Sequence, residues 1–203
     1  MTAGRGITHS ERFERARAEG GEMHGIQAWV ALPEELEESE PAFAHHGAAD
    51  LPTYEEGGLW ARLIAGEAFG AKAKVRTSSP MFYVHWRLAA GAQAQLPAEY
   101  PERAACVAAG SVEVDGQRFG QGQMLVFAAG QPILFTAVEP AIVMLLGGEP
   151  LGERFIEWNF VSSSKERIET AKADWRAGRM KLPDFDNLEF IPLPPGPAAP
   201  QPL

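Results

Sequence analysis

RFIEWNFVSSSKERIETAKADWRAG, residues 154–178, is where the character of this chain changes. Its first part, Arg154 to Val161, is rich in β-branched and aromatic residues that suit a pleated sheet, and it predicts a strand. Ser163-Ser164-Lys165-Glu166 then has the Ser-x-x-Glu form of a capping box, whose hydroxyl and carboxylate satisfy backbone donors left free by the first helical turn. Ile168, Ala171, Lys172 and Trp175 recur at helical spacing until Gly178 supplies a stop, so the spacing predicts a helix.

Nothing upstream repeats that helical pattern. The chain carries 21 glycines and 16 prolines, the punctuation expected of many short strands joined by turns. Candidate strands are residues 25–32 (GIQAWVAL), 58–65 (GLWARLIA), 80–88 (PMFYVHWRL), 104–114 (AACVAAGSVEV), 123–128 (QMLVFA), 133–138 and 141–146. Their length and spacing are compatible with a closed sheet, so the fold class is mainly β with one helix near the C-terminus. Downstream, FIPLPPGPAAPQPL from Phe190 is proline-rich and predicts an extended or disordered tail. Its Pro192-x-x-Pro195 match carries little information in such a background.

Composition excludes several partners. A chain of 203 residues with 45% hydrophobic content can bury a core. Its net charge of -9, from 18 basic against 27 acidic residues, gives no field that would draw it to nucleic acid or to an anionic membrane. Cys106 is the only cysteine; it cannot form an internal disulfide, and its apolar strand setting predicts a buried, inert thiol. The first thirty residues hold no apolar stretch suited to a signal peptide, and no segment reaches the roughly 20 apolar residues that span a bilayer, so a cytoplasmic location is expected.

Motif chemistry is sparse. The chain has no G-x-S-x-G elbow, phosphate loop or C-x-x-C pair, and Gly116, Gly120 and Gly122 lack dinucleotide spacing. Glu34-Glu35 and Glu37-Glu38 read as a solvated acidic loop. His45 and His46 fall in a loop, His24 precedes a strand entrance, and His85 sits in an apolar strand as a core or interface residue. One pair stands apart, in MTAGRGITHSERF at residues 1–13. On a strand, His9 and Glu11 would project to one face, and an imidazole with a carboxylate suits a divalent first-row metal. Two ligands do not complete a site, and a His-x-Glu pair is more often an ordinary polar strand face.

Four stretches carry a resemblance: MTAGRGITHSE (1–11), HGIQAWVALP (24–33), IAGEAFG (64–70) and GGEPLGERFIEWNFVSSSKERIETAKADWRAG (147–178). In this order they resemble the pirins of the cupin superfamily. The resemblance implies a bicupin, two β-barrel domains face to face, with Fe(2+) held in the first by a His-x-His and by the His-x-Glu of a GRGI-x-HSE motif. His9 and Glu11 match the second pair; Glu11 would serve as ligand or, off the metal, as catalytic base for a flavonol hydroxyl. Met1 would then fall inside the second metal motif, leaving the first barrel incomplete and without its His-x-His. The implied division is a first-cupin remnant at 1–57, a C-terminal pirin cupin at 58–189 and a Pro-rich tail at 190–203. GAQAQLPAEYPERAACVAAGSVEV, residues 91–114, contains no histidine, so the second barrel is expected to be metal-free, as in the family.

Members of the family are described as quercetin 2,3-dioxygenases acting on a small aromatic flavonol, or as non-enzymatic partners of transcription factors or metabolic enzymes. With half the ligands matched, impaired metal binding is expected of this chain, and oxygenase activity is not. Unpaired strand edges around residues 25–32 and His9 would favour self-association.

Overall fold

The computed structural model describes residues 1–195. In chain order the elements are helix α1 (Glu14–Glu19), strands β1 (Thr53–Glu56), β2 (Leu59–Ala68), β3 (Ala71–Lys72), β4 (Met81–Leu88), β5 (Gln93–Leu96), β6 (Glu102–Ala109), β7 (Ser111–Val114), β8 (Gln117–Gly120), β9 (Met124–Phe127), β10 (Ile133–Ala137), β11 (Ala141–Gly148), β12 (Phe155–Glu157) and β13 (Phe160–Ser162), and helix α2 (Lys165–Arg176). Two compact units result. One is Ala44–Pro150; the other joins Met1–Phe43 to the chain from Leu151 onward. Compactness thus groups residues 151–189 with the N-terminal segment, whereas the expected division at residue 57 concerns family ancestry.

The Ala44–Pro150 unit is built from two antiparallel sheets. The larger runs β1-β2-β4-β11-β6-β9 with β3 on β2, and the smaller runs β5-β10-β7-β8. Alternation on β4 shows why: Phe82, Val84, Trp86 and Leu88 are buried, while Met81, Tyr83, His85 and Arg87 point to the other face. Between the sheets, Trp86 meets Phe135 edge-on at 5.6 Å and Phe135 meets Phe127 at 5.8 Å, with Val107, Val112, Val143 and Leu145 fully enclosed. The sheets do not close into a continuous barrel among the described residues.

The expected strand at 104–114 is two strands in different sheets. Gly110, at φ +67, turns the corner; a Cβ there would lie 2.1 Å from the Pro140 carbonyl oxygen, so the backbones approach too closely for any side chain. Four strands escaped the pattern reading: β1, β3, β5 and β8. β7 and β8 are joined by Asp115-Gly116, both at positive φ, a hairpin turn whose Asp-Gly signal is explicit in the sequence.

In the other unit, residues 154–161 are not one strand but the hairpin β12–β13, turning at Trp158-Asn159 with Trp158 at φ +53. The helix is present, but its cap is Ser164: the Ser164 hydroxyl accepts from Arg167 N–H at 3.2 Å. Three residues beyond this cap stands Arg167, so the carboxylate half of a capping box is missing, and Ser163 is free for another role described below. Gly178, at φ +66, follows the C-cap Ala177 as expected of a stop.

The strand expected at 25–32 is absent, and the stretch around His9 and Glu11 is not a strand either; neither pairs in any ladder of the described residues, and alternation without a partner leaves backbone groups to water. Ile26, Trp29 and Val30 are consequently about half exposed. The helix α1, not anticipated, buries no residue. Cys106 is half-buried and free, more accessible than its strand pattern implied, because it lies on the outer face of β6. Residues 190–195 have no regular structure, and the rest of the proline-rich tail lies outside the described residues. Among the described residues no helix is long and apolar enough to cross a membrane.

Candidate functional site

His9 and Glu11 lie in the irregular stretch before α1, both exposed. Without a strand, the argument that they share a face has no backbone to rest on. The stretch is tied to residues 181–189: Thr8 donates its hydroxyl to the Lys181 carbonyl, and Arg12 forms a fork on Asp186, its Nε at 2.6 Å, with a further bond of 2.8 Å to Glu189. The Asp186 carboxyl is held below its ordinary value by the Arg12 hydrogen bond and then by Ser10.

Iron is the metal that the pirin resemblance implies. A neutral imidazole and a carboxylate are the right donor types for Fe(2+), yet among the described residues no three His, Cys, Asp or Glu side chains gather closely enough to hold a metal ion. The described residues therefore do not fit a complete centre, and no chemical step is assigned through one.

Sequence reasoning missed a second constellation in this unit, and it corrects the reading of the acidic run. Glu34–Leu36 is a short 3₁₀ turn, and Glu37 beyond it is not a solvated residue. Its carboxylate pairs with Arg154 Nε at 2.8 Å and accepts from the Ser162 hydroxyl at 2.9 Å, Ser163 N–H at 3.0 Å and the Ser163 hydroxyl at 3.0 Å. The side chains of Arg154 and Glu37 are only 9% and 15% exposed. Arg154 also donates to the Leu32, Leu151 and Glu153 carbonyls, so it closes the 32–37 loop over the β12–β13 hairpin. Burial pushes the Glu37 carboxyl up, but the Ser163 and Ser162 hydrogen bonds and the Arg154 charge outweigh it and hold the group below its ordinary value. Only tertiary contact could have revealed this, since the partners are remote in sequence.

The interior of the Ala44–Pro150 unit is filled with side chains. Its buried polar residues are Arg103 and Ser111. Arg103 donates to the Pro97, Ala128 and Gln131 carbonyls at 3.0, 2.6 and 2.7 Å, a clamp on three loop carbonyls. Ser111 donates to Glu139 at 2.6 Å and accepts from Arg118 at 2.7 Å, and the same Glu139 oxygen is ion-paired with Arg118 at 3.1 Å. A cavity of about 330 Å³ opens between Val114, Phe119, Leu125 and Phe127, with Asp115 and Gln117 at its rim. One carboxylate and one amide there do not make an acid-base pair or a metal site.

Comparison with known proteins gives these features a family. The pirin C-terminal cupin domain matches residues 83–181. A pirin-like protein of Caulobacter vibrioides is 69% identical over 195 residues, covering 96% of this chain and 68% of that protein. A Pseudomonas aeruginosa protein, provisionally named as a quercetin 2,3-dioxygenase, is 35% identical over 192 residues, covering 93% of this chain and 59% of that one. Among solved structures, a crystal structure of quercetin 2,3-dioxygenase from Acinetobacter baumannii superposes with a TM-score of 0.69 at 27% identity, over 74% of this chain and 55% of that chain. The chain thus spans between about half and about two thirds of the length of these proteins. On the 69% identity over 96% of its length and the domain match, the chain belongs to the pirin family of the cupin superfamily.

Proposed function

We propose that this polypeptide supplies part of a pirin metal centre, with His9 and Glu11 as two of the Fe(2+) ligands and the remaining ligands coming from beyond the described residues. On this reading residues 1–57 belong to the first cupin, residues 58–189 form the metal-free second cupin, and residues 190–203 are a tail. The activity would be oxidation of a small, flavonol-like aromatic of the quercetin 2,3-dioxygenase type, and it would belong to the completed centre. The observation that carries this is the His-x-Glu pair in a chain that aligns over 93% of its length with the Pseudomonas relative.

The 203-residue chain alone should hold far less than one metal per molecule after dialysis against a mild chelator, because two exposed donors cannot compete with it. Elemental analysis reads this directly, and stoichiometric iron in the chain by itself would overturn the assignment. Joined to a first-cupin segment that brings a His-x-His, the chain should bind iron, and His9→Ala should abolish most of that binding.

A second reading, a non-enzymatic binding protein, is favoured by a different observation. The Ala44–Pro150 core is packed by Trp86, Phe82 and Phe135 and encloses no catalytic constellation, as suits a scaffold.

A further inference from the structure

The outer face of the larger sheet carries a cationic cluster that neither reading uses. The ladder between β2 and β4 sets Trp60 opposite Arg87 and Arg62 opposite His85, so all four side chains share one face. The guanidinium of Arg87 lies 4.0 Å from the centre of the Trp60 ring and that of Arg62 lies 4.8 Å away, while His85 meets the indole edge-on at 5.4 Å. Two like charges are thus gathered on one indole, whose π-face offsets part of their repulsion.

What its two arginines lack, among the described residues, is an ion pair. Many other arginines of this acidic chain are paired, such as Arg12 with Asp186, Arg118 with Glu139, Arg167 with Glu38 and Arg179 with Asp174, whereas Arg76, Arg103 and Arg176 form no ion pair among the described residues. Neither Arg62 nor Arg87 forms an ion pair among the described residues, although Glu55 stands opposite Trp60 in the neighbouring ladder. Arg62 Nε is enclosed and has no hydrogen-bond acceptor. Arg87 is exposed, with Trp60 and Arg62 half-buried beside it.

We propose that Trp60, Arg62 and Arg87 form a docking point for an acidic segment of a protein partner. Charge sets the chemistry: paired guanidinia, rigidified on an indole, present fixed forks that match carboxylates. Shape sets the class. Small ligands are held in concave pockets, and neither the cavity beside Val114 and Phe127 nor the one beside Phe69 and Tyr100 is lined by these residues, whereas Trp and Arg on an open face are the usual anchors of protein contacts. The net charge of -9 opposes an acidic partner at long range, so recognition would rest on these short-range pairs and weaken with salt. The inference does not depend on iron.

The test is fluorescence anisotropy of a labelled hexaglutamate peptide titrated with the 203-residue chain at low ionic strength. Saturable binding is expected. The R62Q/R87Q double variant should bind about tenfold more weakly or worse, as for loss of anchor residues. R62K/R87K, which keeps the charge and loses the forks, should fall between it and the native chain. K74Q/R76Q, which removes the same charge elsewhere on the unit, should bind as the native chain does. Absence of saturable binding, equal affinity of the R62Q/R87Q variant, or equal weakening by K74Q/R76Q would each overturn the proposal. Displacement of the peptide by equimolar inorganic phosphate would also overturn it, reassigning the cluster to small anions. Thermal melting checks folding; should R62Q/R87Q not fold, the R62K/R87K comparison decides.

Discussion

Removing the Glu37 carboxylate should loosen one unit of this protein and leave the other intact. In Glu37→Gln the charge that faces Arg154 disappears, while the Ser162 and Ser163 hydroxyls and the Ser163 N–H, all within 2.9 to 3.0 Å of the carboxylate, lose their best acceptor. Arg154 is left as a guanidinium only 9% exposed, with carbonyls but no counter-charge. Breaking a pair buried to this degree costs about 3 kcal/mol, the low end of the range because Glu37 keeps some contact with water. At about 1.4 kcal/mol per decade this is roughly a hundredfold faster opening. Hydrogen exchange measured by mass spectrometry should show it in peptides covering 155–176 and not in peptides covering β4 or β11. The pH dependence has a definite sign. A carboxyl held below its ordinary value stabilises fully above its unfolded pKa of about 4.3 and loses that contribution as pH falls through the lower folded value, so native protection in 155–176 should decline below about pH 4.3. In the Gln variant that decline should be shallower. Unchanged exchange at neutral pH, or an identical acid profile in the two proteins, would refute the assignment of Glu37 as the clasp of this unit.

Gly110→Ala should cost several kcal/mol, as its Cβ would meet the Pro140 carbonyl at 2.1 Å in a left-handed backbone; urea denaturation would show a lowered midpoint, and a shift below about 0.5 kcal/mol would contradict the corner's geometry. Trp86→Ala should destabilise the Ala44–Pro150 unit by about 3–5 kcal/mol, seen as lost protection in β4 and β11. Residues 25–32 should exchange much faster than β9, and light scattering should detect self-association through their exposed Ile26, Trp29 and Val30; slow exchange in a monodisperse monomer would contradict the irregular backbone seen there.

What was legible from sequence was local and periodic. The strands at 58–65, 80–88, 123–128, 133–138 and 141–146 sit where alternation and turn residues put them, since each buries one face and alternation is the imprint of one-sided burial. The helix after Ser164 carries its serine run and its Gly178 stop within one continuous stretch, so no distant contact was needed to find it, although the capping serine stands one residue beyond the expected box. Family membership was legible for a similar reason: GRGI-x-HSE and the 147–178 stretch are contiguous strings. Pattern failed wherever a partner decides. GIQAWVAL has the composition of a strand but no neighbour to pair with, and AACVAAGSVEV turns at Gly110 because Pro140 lies against it.

By itself, then, the sequence determined the β class, the helix and the family, all of which depend on neighbouring residues, and it singled out the pair His9 and Glu11 that the proposed function uses. Tertiary structure alone decided that Glu37, one carboxylate in an acidic run, is clasped by Arg154 and two serines, and that Trp60 gathers Arg62 and Arg87 on an open sheet face. The physical reason is the same in both cases. A charged side chain takes its role from the dielectric and the counter-charges around it, and folding brings those from strands and loops that the sequence holds far apart.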